Sequence, residues 1–186
     1  MMNMTYCKPI ALLFLGALLF GNTVVFANSV EEQSLYCRDS GGVVEEMPAE
    51  FQEGNSLVRG QSKLFCNFTT ADLGFVSVGL ETFASPEPSI AATYMKRLHD
   101  IKPGSSLMKG DLPNPSANVC KNLGGASIMF VAFGGFTSAL GQSDICVFGD
   151  ASMVSAWALI YMANHRSGYD EIKDKVKAMP LNFKIK

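Results

Sequence analysis

Thiols and imidazoles are the side chains here whose chemistry would be most direct, so their spacing is read first. The chain of 186 residues holds five cysteines and two histidines. Cys7 lies in the N-terminal apolar leader, which leaves Cys37, Cys66, Cys120 and Cys146. Thiolates can ligate a metal, attack a carbonyl or pair with one another. No two of these form a C-x-x-C, and His99 and His165 stand in unrelated sequence surroundings. No metal centre and no bound cofactor are therefore expected. An even count in an exported chain reads instead as disulfides, with three pairings open at this point.

Catalysis has little else to draw on. His99 neighbours Asp100 and could act as a general base, the one route to a secreted hydrolase. Both histidines read better as solvated residues at helix ends, where the C-terminal dipole favours a cation. There is no G-x-S-x-G elbow, no H-E-x-x-H and no glycine-rich phosphate loop, so no catalytic residue is assigned. Glu45, Glu46, Glu50 and Glu53 cluster in sequence. A solvated strand-and-loop face is the plain reading, and a cation or a basic partner the sharper one.

The elements that must position these residues begin after a leader. Met1–Ala27 has Lys8, an apolar run from Ile10 to Phe20 and a small-residue end, Val25-Phe26-Ala27. That reads as a cleaved secretory signal, too short for a membrane span. No cysteine stands at its end, so a lipoprotein is not expected, and a periplasmic or secreted product is. Removing Lys8 makes the formal charge one unit more negative than the full chain's −2, too mild to imply nucleic acid.

Capping signals and periodicity then predict an α+β fold. Ser29 and Glu32 form a capping box for a helix over 30–39 that ends at Gly41-Gly42, with Cys37 in its last turn. Val43–Met47, Lys63–Thr69 and Phe75–Phe83 read as strands, the second with a half-buried alternation. Ser85-Pro86 opens a helix to Asp100, and residues 102–113 read as a linker. Asn114 caps a helix whose first residue is Pro115 and which ends at Gly124-Gly125. Ala126–Phe133 and Asp144–Phe148 follow as strands, and Asp150 or Ser152 caps a buried helix to about Asn164, with Trp157 as its core anchor. Ser167 and Asp170 open a last helix with Ile172, Val176 and Met179 inward, and Leu181–Ile185 reads as an edge strand.

The chain also repeats itself. Cys37-Arg-Asp-Ser-Gly41-Gly42 matches Cys120-Lys-Asn-Leu-Gly124-Gly125, and Cys66-Asn-Phe68 matches Cys146-Val-Phe148. Two α-β-β-α units are expected, over 28–101 and 114–186, with Phe75–Phe83 inserted in the first. The second unit carries N-P-x4-C-x3-G-G at Asn114, Pro115, Cys120, Gly124 and Gly125. It continues as C-x-F-x-D-x-S-x4-W-A at Cys146, Phe148, Asp150, Ser152, Trp157 and Ala158. Over 114–158 this resembles a bacterial envelope family known as domain of unknown function 333, often labelled hemolysin. That family usually has Gly between the Asp and the Ser, where this chain has Ala151, and often carries a further cysteine before the Trp.

A cysteine in the last helical turn, followed by a Gly-Gly reversal, lies over the hairpin that comes next. A cysteine on the second strand then falls within reach, which predicts Cys37–Cys66 and Cys120–Cys146. Small size, two staples and duplication point to an exported, non-enzymatic binding module, inhibitor-like or directed at an envelope or host component. Membrane activity is the alternative, through the apolar run 126–136 if that run is an exposed hairpin rather than a central strand.

Overall fold

The computed structural model describes residues 29–132 and 141–185. The leader 1–27 and positions 133–136 of the apolar run lie outside them. The element order is α1 (Val30–Asp39), β1 (Val43–Glu53), β2 (Ser56–Thr69), β3 (Phe75–Gly79), α2 (Leu80–Ala84), α3 (Ile90–Arg97), a 3₁₀ turn (Ser106–Met108), α4 (Pro115–Asn122), β4 (Ala126–Val131), β5 (Gln142–Val147), β6 (Met153–Ser155), α5 (Ala156–Ala163) and α6 (Tyr169–Lys175).

The α+β class holds, and the strands close into a six-stranded antiparallel barrel in the order β1-β2-β3-β6-β5-β4. Two short pairings join the halves: β3 to β6 at Val78↔Val154, and β1 to β4 at Ala49↔Phe130 and Glu50↔Met129. Closure gives every strand an interior face and an exterior one. Met47, Ala49, Phe65, Phe130, Ala132 and Ile145 fill the interior. Cys66, Phe68, Val76, Val78, Cys146 and Val154 point out of it, under the helices, in the larger core. Near Cys66 the alternation of β2 is therefore buried on both faces rather than half-buried, because helices cover the outer one.

Each half carries three strands, so the third strand expected only in the first half has a counterpart in the second. The expected strand Phe75–Phe83 stops at Gly79, and α2 begins at Leu80. Leu80, Phe83 and Ala84 share one helical face in the core, where Phe83 meets the rings of Tyr36 and Phe68 at 5.5 and 5.1 Å. In the second half Met153–Ser155 pairs with Val147, Cys146 and Ile145 as a strand, so α5 begins at Ala156 rather than at Asp150 or Ser152.

Local chemistry sets the other boundaries. The Ser29–Glu32 capping box forms as expected. Asn114 caps α4 by accepting the Ser116 amide at 3.2 Å, with Pro115 in the first turn. Helix α3 starts only at Ile90, since a residue preceding proline avoids helical backbone and Pro86 and Pro88 impose that twice. The cap of α6 is Gly168 at φ +84, with no side-chain bond from Ser167. Met179 is exposed rather than inward, and Leu181–Ile185 forms no strand; Pro180, just before it, makes an isolated bridge to Ser89. The linker 102–113 is pinned: Asn122 donates to the carbonyls of Leu107 and Lys109, both at 2.9 Å, and Asn118 holds Leu112 from both sides.

Both disulfides join a helix end to a strand. Cys37–Cys66 and Cys120–Cys146 have Cα separations of 5.7 and 5.5 Å. Gly41 and Gly124 reverse the chain at φ +86 and +84, a backbone that glycine adopts without cost from a Cβ. The next glycine is fixed by space. A Cβ on Gly42 would lie 2.6 Å from the Cys66 sulfur and 2.9 Å from that of Cys37. On Gly125 it would lie 2.5 Å from Cys146 Sγ and 2.9 Å from Cys120 Sγ. Phe68 and Phe148 close the far side of the same two spots at 2.9 and 3.1 Å. No helix among the described residues is long and apolar enough to cross a membrane. Two disulfides suit an oxidising compartment such as the periplasm or the outside of a cell.

Candidate binding groove

The sequence motif of the second half divides by task. Cys120, Gly124, Gly125, Cys146 and Phe148 build the staple, and Phe148 also packs on Tyr94 at 5.3 Å between ring centres. Asp150 and Ser152 do not cap their own helix. Asp150 Oδ2 accepts the amide of Ile90 at 2.7 Å, and Ser152 Oγ accepts that of Ala91 at 2.9 Å. They therefore satisfy the first turn of α3, in the other half. Burial alone would push the Asp150 carboxyl up, but the Ser152 hydroxyl and the amides of Ile90 and Ser152 outweigh it and hold it below its ordinary value.

Trp157 departs most from expectation. It is not a core anchor: the residue is 37% exposed, while Ala156, Ala158, Leu159, Ile160 and Met162 of the same helix are buried. Trp157 and Tyr161 lie one turn apart on α5, Tyr161 half-buried against the core, and their rings stack at 5.8 Å and 23°.

That pair lines a groove of about 440 Å³ together with Asp72, Asn114, Met129, Asp144, Arg166 and Tyr169 among others. The volume lies within the range of about 300–1,000 Å³ usual for small-ligand sites. One wall is an acid held in place: Asp144 accepts from Ser116 at 2.9 Å, from Asn114 at 3.4 Å and from the Ser127 hydroxyl. An aromatic and guanidinium stack lines the same groove. Arg166 lies over the Tyr161 ring at 4.4 Å, near Tyr169 at 5.6 Å, and donates to Asp72. The Thr70 hydroxyl, the Arg166 guanidinium and the Gly74 amide hold the Asp72 carboxyl below its ordinary value against the smaller opposing effect of burial. Gly74 leaves room for Tyr169, whose hydroxyl would sit 2.2 Å from any Cβ there.

Of the residues singled out in the sequence, Asn114 and Trp157 reach this groove, and the histidines do not line it. His99 and His165 are far apart in sequence, yet their rings stack at 5.9 Å, so their surroundings are shared after all. His165 Nδ1 also lies 3.0 Å from Asp170. The acidic cluster is split: Glu45 accepts from Asn67 at 2.7 Å, while Glu50 pairs with Arg59 at 3.9 Å and accepts from Gln142. Within the described part of the apolar run, Phe130, Val131 and Ala132 are buried, Ala126 and Met129 are exposed, and Ser127 and Ile128 are half-buried.

Asp72, Asp144, Tyr161, Arg166 and Tyr169 carried no signal at the level of sequence, because barrel closure is what brings 72, 144 and 161–169 together. No known family, curated protein or solved structure matches this chain.

Proposed function

We propose that this protein is an exported, non-enzymatic binding module whose contact face is the Trp157 groove, directed at an envelope or host component. One observation carries the reading: the single Trp of the chain is half out of the core, stacked on Tyr161, in a groove whose polar groups are fixed by partners. An exposed indole beside ordered hydrogen-bonding groups is the composition of a recognition site, since aromatics add contact area at small entropic cost. The barrel beneath it is held by two disulfides, which suits a rigid presenter.

The matched surroundings of the two staples support a second element of the proposal. The halves are copies of one unit, with a third strand in each, and that unit is the one resembling domain of unknown function 333. The export signal at 1–27 belongs to the same reading.

The test is co-sedimentation of the oxidised Asn28–Lys186 protein with bacterial cell envelopes, wild type against Trp157→Ala. The reading expects wild type to sediment and the variant to stay in solution at an unchanged melting temperature. Equal sedimentation of both, or of neither, overturns it.

A further inference from the structure

The chemistry of the groove narrows its ligand class. A cation is disfavoured, because the guanidinium of Arg166 already covers the Tyr161 face and itself lines the groove. An anion is disfavoured too: Arg166 is paired with Asp72, and the Asp144 carboxylate lines the same groove. A purely apolar chain would strip water from Asp144, Asn114 and Asp72 with nothing in exchange. What remains is a neutral ligand with one apolar face and a rim of hydroxyls.

A pyranose ring has that form. Its face of C–H groups, slightly positive, lies against the negative face of an aromatic ring, and its hydroxyls donate to carboxylates and exchange hydrogen bonds with amides. Resting on the groove being the contact face, we infer that the site binds a neutral saccharide, with a sugar ring on Trp157 and hydroxyls on Asp144 and Asn114. Asp144 is suited to this, since three donors from α4, the loop before it and β4 fix its orientation before any ligand arrives. A ligand therefore meets an acceptor whose ordering has already taken place.

The probe is the emission of Trp157, titrated with tetramers of β-1,4-linked N-acetylglucosamine, of β-1,4-linked glucose and of α-1,4-linked glucose. At least one should give a saturable blue shift. Asp144→Asn should weaken it by roughly tenfold, the loss of a charge-assisted bond. Trp157→Phe, which keeps a ring and is followed by calorimetry, should retain binding, and Trp157→Ala should abolish it. No saturation by any of the three at about 10 mM overturns the inference. If envelopes still retain the wild type, and a protein extract rather than the sugars competes it off, the saccharide class fails and the groove reading stands. If envelope retention is also absent, both fail.

Discussion

Asp150, in the turn after β5, accepts the amide of Ile90 at 2.7 Å and so adds to the Ser89 cap of a helix that belongs to the other half of the chain. Its neighbour Ser152 does the same for Ala91, and Ser152 is itself oriented by two bonds from Asp150. The halves are thus joined by strand pairing and by capping bonds from Asp150 and Ser152 to α3, and removing those bonds loosens the join. Asp150→Ala should lower stability by about 1 kcal/mol, the usual cost of a lost N-cap. Denaturant unfolding measures it.

The same residue gives an acid limb. Its folded value lies below the ordinary 3.8, so its contribution is present above that value and is lost as pH falls through the lower folded one. Wild type should therefore lose stability relative to Asp150→Asn on going below about pH 4, the difference closing as both carry a neutral group. A constant gap across that window would contradict the assignment.

Ala151 stands in left-handed backbone at φ +63, a region L-residues enter at a cost. Ala151→Gly should stabilise by about 0.5–1 kcal/mol once the greater freedom of glycine in the unfolded chain is deducted. Thermal unfolding of the oxidised protein checks it.

Gly42 and Gly125 face the two sulfur pairs too closely for a methyl group. Either changed to Ala should cost about 1–3 kcal/mol, as overpacking does. Gly149, where nothing lies within 4 Å of a built Cβ, should tolerate Ala far better and serves as the control.

Replacing Cys37 and Cys66 together by Ala should cost roughly 3–4 kcal/mol in the chain-entropy account, and the Cys120 and Cys146 pair about the same. Non-reducing peptide mapping should find those two pairs and no cross-half linkage.

Much of this was legible in local chemistry. The capping box at Ser29, Pro115 behind Asn114, and the helix-cysteine-glycine-glycine order carried both helix ends and both disulfides. What was not legible depends on closure. Pro86 and Pro88 delay α3 until Ser89, its local N-cap, and the amide of its first residue is met by Asp150, sixty residues away in sequence. Met153–Ser155 is a strand only because Val78 and Cys146 flank Val154 on either side. Trp157 looked like core because its neighbours are, and only the packing of α5 shows which face is left over. His99 and His165 meet through a fold that their sequence neighbours do not encode.

The emission of Trp157 on addition of bacterial cell envelopes tests the central claim most directly, because the chain has no other Trp to confuse the signal. If the groove is the contact face, the bound protein emits to the blue of the free one and its indole is shielded from a soluble quencher. Envelope-bound protein with unchanged emission and unchanged quenching would place the contact elsewhere and contradict the account.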